Sequence, residues 1–198
     1  MSFLSYLING ISLGSVYAII ALGYTMVYGI ARMLNFAHGD IIMVGGFVIF
    51  TMVSTLGLPP MVGVLVAVIA CTVLGVVIER VAYKPLRGAS SLAVLITAIG
   101  VSYLLQNVAL LIFGSNARQF TSVVNVPSLK LAGGALSISG VTLVTIITCI
   151  VIMVALTTFI NKTRVGQAML AVSEDTGAAT LMGINVNSTI AITFAIGS

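Results

Sequence analysis

Apolar residues in this chain come in long uninterrupted runs, not at the alternating or one-faced spacing of a water-soluble fold. A helix needs about 20 apolar residues to cross the hydrocarbon core of a bilayer. Five segments of this length are present, and the second and third share one charge-free stretch. They run from about Tyr6 to Ala31, twice through Ile41–Val77, from about Ser91 to Phe113 and from about Val141 to Ile160, which gives five spans in all.

Turn-forming residues between the apolar runs support this division. Proline lacks the amide donor and restricts the residue before it, so Gly57-Leu58-Pro59-Pro60 predicts a tight turn between the second and third spans. A sixth apolar segment begins near Val186 and reaches Ser198 after thirteen residues, too few to cross. We therefore expect an all-α, polytopic transmembrane helix bundle of five complete spans plus the start of a sixth. We expect residues 1–198 to form one membrane domain that is incomplete at its C-terminus.

Composition strengthens the membrane assignment and narrows the chemistry. Hydrophobic residues make up 60% and charged residues 6% of the chain, against about 25% charged in soluble domains. Cys71 and Cys149 both lie in apolar runs, without metal-ligand or disulfide spacing. With one histidine, no nucleophile triad and no phosphate-binding glycine loop, the sequence predicts no enzyme, no metal site, no bound cofactor and no nucleic-acid partner.

The basic residues predict an orientation. Short cytoplasmic loops carry an excess of Lys and Arg. If the loop Lys162–Asn185 is cytoplasmic, six of the eight basic residues lie on that side, and the N-terminus is extracytoplasmic. The six are Arg32, Arg80, Lys84, Arg87, Lys162 and Arg164; Arg118 and Lys130 remain outside.

Small residues at helical spacing predict close helix packing. One series on the first helix also contains tyrosines, whose hydroxyl groups need partners and are candidates to line a polar path. It consists of Gly10, Gly14, Tyr17, Ala21, Tyr24 and Tyr28, and a second series on the third helix consists of Gly63, Ala67, Cys71 and Gly75.

Two polar groups interrupt the apolar runs. In the segment Leu34–Asp40, the side chains of Asn35, His38 and Asp40 either shape a translocation path or serve as helix caps and a satisfied buried imidazole. On the fourth helix, Tyr103, Gln106 and Asn107 share one face, which is expected to meet protein or water because amides facing lipid are costly. Interhelical hydrogen bonding is the alternative to a path there.

The segment Asn161–Ile184 is too polar to span a membrane. It predicts two short helices, the first from Arg164 to Val172 and the second capped by Ser173, with Gly183 as its C-terminal stop. Glu174 and Asp175 then fall in the first turn of the second helix. Apolar residues on this pair suit a groove on a soluble partner, or alternatively the membrane surface. They are Ala168, Met169, Ala171, Ala178, Ala179 and Leu181.

Four spaced motifs resemble the permease subunits of branched-chain amino-acid ABC importers of the LivH type. They are GYTMVYGI at Gly23–Ile30, NFAHGD at Asn35–Asp40, IERVAYKP at Ile78–Pro85 and the pattern Arg164-x-Gly-x-Ala…Ala171-x-x-Glu-Asp…Gly183-Ile-Asn185. The resemblance covers essentially the whole chain. Members of this family continue through further spans after the last motif, so the resemblance implies a C-terminally truncated chain.

The resemblance implies an inner-membrane importer in which two permease subunits, identical or homologous, form the path within membrane lipid. Separate subunits bind and hydrolyse ATP, and an extracytoplasmic binding protein delivers leucine, isoleucine or valine. The segment Lys162–Asn185 corresponds to the coupling loop that docks on the ATPase. Its matching positions are Arg164, Gly166, Ala168, Ala171, Glu174, Asp175 and Gly183, and the path candidates are Tyr24, Asn35, His38, Asp40, Gln106 and Asn107.

Two other functions fit the residues alone. An ion-coupled secondary carrier or channel subunit for a small polar solute normally buries charged residues at the membrane midplane. Asp40 is the candidate here, and it lies near the end of a span. An assembly or scaffold role without transport is the third possibility. The sequence leaves the solute open among branched-chain amino acids, other small amino acids, urea and amides.

Overall fold

Helices form at all five predicted spans in the computed structural model of the chain, which describes residues 2–116, 126–131 and 136–198. The helices α1 to α5 cover Ser2–Ala31, His38–Phe50, Pro60–Ile78, Ser91–Phe113 and Gly140–Lys162. Three shorter helices follow, α6 at Arg164–Glu174, α7 at Thr176–Leu181 and α8 at Val186–Gly197. Within the described residues, five helical segments are long and apolar enough to cross a membrane, which confirms the predicted all-α polytopic fold.

A short antiparallel ribbon lies in the connection between α4 and α5. Its strands are β1 (Leu129–Leu131) and β2 (Leu136–Ile138), with Leu129 opposite Ile138. Arg118, which the charge pattern placed in the same connection, lies outside the described residues.

The turn between α2 and α3 forms where the prolines predicted it. Gly57 adopts a φ of 65°, a backbone conformation that favours glycine, and α3 begins at Pro60 with proline in its first turn. The helix α3 then continues beyond Val77 through a π-helical turn at Glu79–Tyr83 and a 3₁₀ turn at Lys84–Leu86. A second π-helical turn, Thr51–Thr55, closes α2. Such turns are rare and are frequent at functional sites.

Contacts within the chain divide it into two compact units. One comprises Met1–Leu22 with Ser122–Thr163, and the other Gly23–Thr121 with Arg164–Ser198. In the second unit α2 packs on α3, α3 on α8, α2 on α4, and α6 on both α7 and α8. The polar residues considered below all belong to this second unit.

Small residues at the packed faces explain how the helices of the second unit approach one another. The predicted series on α3 (Gly63, Ala67, Cys71 and Gly75) is buried throughout, as expected. A Cβ atom on Gly45 of α2 would lie 2.9 Å from the Cys71 sulfur, so α2 and α3 meet where this glycine leaves room. Cys71 is therefore a small packing residue, as its apolar surroundings predicted.

Other apolar helix faces are exposed in the described part of the chain. No described atom lies within 4 Å of an added Cβ on Gly10 or Gly14, and Tyr17 on the same helix is 62% exposed. The predicted packing of this part of the α1 series is thus not made within the described chain. The apolar side chains of α5 are likewise exposed or half-buried. Faces of this kind suit lipid or a further membrane subunit rather than water.

Candidate functional site

The segment between α1 and α2 brings three polar side chains into the interior of the second unit. The helix α1 ends at Ala31 and α2 begins at His38, so the intervening residues are non-helical backbone between two spans. Asn35, His38 and Asp40 are nevertheless only 2%, 6% and 8% exposed. Broken helices at membrane depth are tolerated where they bury against protein or line a cavity.

Asn35 is held by a tyrosine from the third helical segment. The Tyr83 hydroxyl donates to Asn35 Oδ1 at 3.1 Å and, at 3.4 Å, to the Leu34 carbonyl. Tyr83 is fully buried, and its ring lies 5.3 Å from the ring of Phe194 on α8. The interpretation of Asn35 as a helix cap is therefore wrong. Ala37 occupies the N-cap position of α2 without a side-chain cap, and the Asn35 amide oxygen accepts from Tyr83.

His38 packs against the end of α1. Its ring meets the ring of Tyr24 edge-on, with the centroids 6.1 Å apart. An added Cβ at Gly23 would lie 3.0 Å from His38 Cε1 and 2.9 Å from the Gly197 carbonyl oxygen. Gly23 therefore makes the room in which the imidazole and α8 both reach α1. The structure brings together two predicted path residues here, Tyr24 and His38.

Asp40 connects α2 with α4. Gln106 Nε2 donates to Asp40 Oδ1 at 3.0 Å and also lies 3.1 Å from the Ser102 hydroxyl. Asp40 stands in the first turn of α2, where the helix dipole favours a negative charge. Both amide residues are exposed, but Asn107 differs from its neighbour because it donates within its own helix, to the Tyr103 carbonyl at 2.7 Å. Of the two predicted α4 amides, only Gln106, itself exposed, reaches the buried Asp40.

A buried ion pair lies close to these residues and was not predicted. Glu79 is 1% exposed, and its carboxylate pairs with the Arg87 guanidinium. A second nitrogen of Arg87 donates to Asn187 Oδ1 at the start of α8. The sequence assigned Arg87 to a cytoplasmic loop and gave Glu79 no role. The available signal was an acidic residue at the end of an apolar run with an arginine eight positions later.

The loop after α5 forms two helices, but their junction lies two residues later than predicted. The helix α6 extends to Glu174, and the Ser173 hydroxyl donates back to the Leu170 carbonyl within it. The N-cap of α7 is Asp175, whose Oδ1 accepts from the Gly177 and Ala178 amides at 2.7 and 3.0 Å. The prediction of Ser173 as the cap is therefore wrong, because Asp175 has the extended backbone that a cap requires.

The electrostatics at Asp175 follow from this cap. Hydrogen bonds from the Ala178 and Gly177 amides lower the pKa of the Asp175 carboxyl, and the positive charge of Arg32 adds to the same direction. The far end of α7 was predicted correctly, since Gly183 has a φ of 81° and stops the helix.

The apolar face predicted for this loop is divided between the interior and the surface. Met169 is fully buried and Ala179 is 3% exposed, while Ala168 and Ala171 are half-buried. Gly166 is buried, and Arg164 and Glu174 are exposed. The inward residues face the chain itself because α6 and α7 both pack on α8. The most exposed apolar side chains of the loop are Leu181, 90% exposed, and its neighbour Met182, 82% exposed.

One further contact joins this loop to α1. The Arg32 side chain donates through Nη2 to the Ser173 carbonyl at 2.8 Å and to the Glu174 carbonyl at 3.2 Å. Arg32 directly follows the last residue of α1 and has a φ of 53°. Charge counting identified Arg32 only as one of the basic residues of a cytoplasmic loop, and nothing in the spacing indicated its target.

Five membrane-length helices, a buried polar break between two of them and a helical loop define a multi-pass α-helical membrane protein. The chain belongs to the family described as the branched-chain amino acid transport system / permease component, whose model matches residues 6–198. It is thus an ABC-type transport permease of the membrane, as the motifs suggested.

The curated relatives agree with this membership. The chain is 39% identical over 206 residues to the high-affinity branched-chain amino acid transport system permease protein BraD of Pseudomonas aeruginosa. It is 41% identical over 206 residues to the corresponding protein LivH of Salmonella typhimurium. Each alignment covers 99% of this chain and 67% of the relative. No solved structure matches the chain significantly.

Proposed function

We propose that this chain is the membrane subunit of an ATP-driven importer of branched-chain amino acids. The similarity to BraD and LivH over almost the whole chain carries this proposal. Separate ATP-binding subunits supply the energy, a solute-binding protein delivers the amino acid, and a second permease subunit completes the path. The chain itself binds no nucleotide and catalyses no reaction.

The partly buried polar group of the second unit supports a path through this subunit. Tyr24, His38, Asp40 and Gln106 lie on three different helices, and Asn35 stands beside them in the break before α2. Hydrogen-bonding groups in such a place can exchange partners with a solute when helices shift. Asn107, which donates only to a carbonyl of its own helix, is the least supported of the predicted path residues.

The loop of α6 and α7 supports an attachment point for the ATPase. Its inward side is fixed on α8, and Leu181 and Met182 project outward. An exposed apolar pair at the end of a short helix fits a hydrophobic pocket on a soluble partner. In this proposal the loop is cytoplasmic and the N-terminus of the chain is extracytoplasmic.

Uptake by the reconstituted complex tests the proposal. The chain would be purified with its ATPase and second permease subunit, placed in liposomes and supplied with the binding protein and radiolabelled leucine, isoleucine or valine. We expect uptake that requires ATP and the binding protein. Uptake that persists without the ATPase and collapses with the proton gradient would instead establish an ion-coupled carrier, in which the buried Asp40 would be the coupling group.

A further inference from the structure

Arg32 stands where α1 stops, at a position that glycine normally fills. Its amide donates to the Tyr28 carbonyl at 2.8 Å, and its φ of 53° turns the chain out of the helix. Left-handed backbone at a helix C-terminus favours glycine, which lacks a Cβ. Arginine in this conformation is an outlier, and outliers of this kind occur where the side chain serves a purpose.

The Arg32 side chain reaches across 141 positions of sequence to the end of α6. The carbonyls of Ser173 and Glu174, which accept its hydrogen bonds, belong to the last turn of that helix. Carbonyls in the last turn have no partners within their own helix and carry its negative dipole charge. The next residue, Asp175, caps α7. One guanidinium therefore lies at the joint between the two loop helices.

The chain path gives this contact its importance. The covalent chain leads from α6 and α7 back to α5 and onward to α8, and never directly to α1. Packing joins the loop to α1 through α8, whereas Arg32 joins it directly. Tyr24, which packs against His38, lies about two turns before Arg32 on the same continuous helix. The end of α1 therefore lies on a short path from the α6–α7 joint to the buried side chain of His38.

We propose that Arg32 is a positioning residue that links the α6–α7 joint to α1, so that movement of the loop moves the end of α1. This inference rests on the proposed function, since it assigns how the loop acts on the path. Its alternatives are that Arg32 merely ends α1 or merely contributes positive charge on one side of the membrane.

The substitution Arg32→Gly separates these roles. Glycine suits the backbone at this position, so α1 should still end there, while the link to α6 is lost. Arg80→Gln serves as the matched control, because Arg80 is an exposed arginine of the same predicted cytoplasmic set. Arg32→Lys keeps the charge but replaces the planar donor group by a single ammonium.

The measurement is the ratio of amino acid taken up to ATP hydrolysed by the complete reconstituted complex. We expect the ratio to fall on the order of tenfold in Arg32→Gly, to fall less in Arg32→Lys, and to be unchanged in Arg80→Gln. Assembly with the ATPase should be normal in all three variants. If Arg32→Gly fails to assemble, Arg32→Gln takes its place with the same expectation.

An unchanged ratio in an assembled Arg32 variant would overturn the link while leaving the importer intact. A fall of equal size in Arg80→Gln would also overturn it, because general loss of charge would then explain the result. Failure of the wild-type complex to show ATP-dependent uptake is a different result, and it would contradict the proposed function itself. The two failures are therefore distinguishable.

Discussion

The break before α2 and the loop of α6 and α7 differ in which side chains they bury and which they expose. At the break, polar side chains lie inside: Asn35, His38 and Asp40 are all less than a tenth exposed. At the loop, apolar side chains lie outside, with Leu181 and Met182 more than four-fifths exposed. The first region satisfies its polar groups within the chain, and the second leaves its apolar groups for another molecule.

This difference separates residues that hold the subunit together from residues that attach it to something else. Polar groups buried among helices must keep their partners, since an unpaired one is costly. Exposed apolar groups cost the folded subunit little and become useful when a partner covers them. Changes at the first region should therefore reduce stability, and changes at the second should reduce coupling without reducing stability.

The largest effect is expected at the buried ion pair. Arg87→Met would leave the Glu79 carboxylate, 1% exposed, without its cation, and loss of one partner from such a pair costs about 3–5 kcal/mol. Glu79→Leu should cost less, because Arg87 is 16% exposed and can turn toward water. Unfolding of the purified subunit in mild detergent measures both changes.

The double variant Glu79→Leu/Arg87→Met provides the control. It removes both charges, and it should be clearly more stable than Arg87→Met alone. If the double variant is as unstable as Arg87→Met alone, the unpaired buried carboxylate is not the cause of the instability.

The next effect is expected where α1 meets α8. In Gly23→Ala the new methyl group would press on the Gly197 carbonyl and on His38, and overpacking of this kind costs about 1–3 kcal/mol. Gly29→Ala on the same helix is the matched control, since no described atom lies within 4 Å of its Cβ position. The same unfolding assay should show a loss in Gly23→Ala and none in Gly29→Ala. Equal losses in the two variants would show that contact with the Gly197 carbonyl and His38 is not the cause, because alanine has the higher helix propensity at both positions.

The sequence predicted the scaffold well because its signals are local. Twenty-residue apolar runs, the proline turn at Gly57–Pro60 and the stop at Gly183 each act within a few residues of the chain. The burial of the α3 series followed from its spacing alone. These features need no knowledge of which helices are neighbours.

The site was predicted less well because its contacts join distant positions. The sequence contained Glu79, Arg87 and Arg32, but their partners depend on how α3, α8 and α6 pack. The choice between two neighbouring helix caps could not be predicted either, although it involves residues close together in the sequence. Both Ser173 and Asp175 are good caps by composition, and the backbone conformation at Asp175 decided between them.

A third prediction concerns the exposed pair of the loop. Leu181→Asp should lower uptake per ATP on the order of tenfold, because a charge would enter the proposed contact with the ATPase. Stability of the isolated subunit should stay within about 0.5 kcal/mol, as for other surface changes. Thr180→Asp, an exposed neighbour on the same helix, is the control and should affect uptake less. A loss of stability in Leu181→Asp would show that this residue helps to hold the subunit together and does not serve only to attach it to a partner.

The smallest effect is expected at Asp175, the N-cap of α7 at the junction of the two loop helices. The amides of Ala178 and Gly177 hold the pKa of this carboxyl below its usual value. Its stabilisation of α7 is therefore complete above the ordinary carboxyl pKa and is lost as the pH falls through the lowered value. Asp175→Asn keeps a capping oxygen but does not titrate. Hydrogen exchange at the Gly177 and Ala178 amides, compared between the two proteins at each pH, measures the difference.

We expect wild-type protection of these amides to decline in acid relative to the Asp175→Asn protein and to exceed it at neutral pH. A parallel pH dependence in the two proteins would show that the carboxylate charge does not stabilise α7. The joint would then depend on the contacts of α6 and α7 with α8 and on Arg32. Because Arg32 acts on the α6 carbonyls and not through the Asp175 charge alone, that result would leave its proposed link to α1 in place.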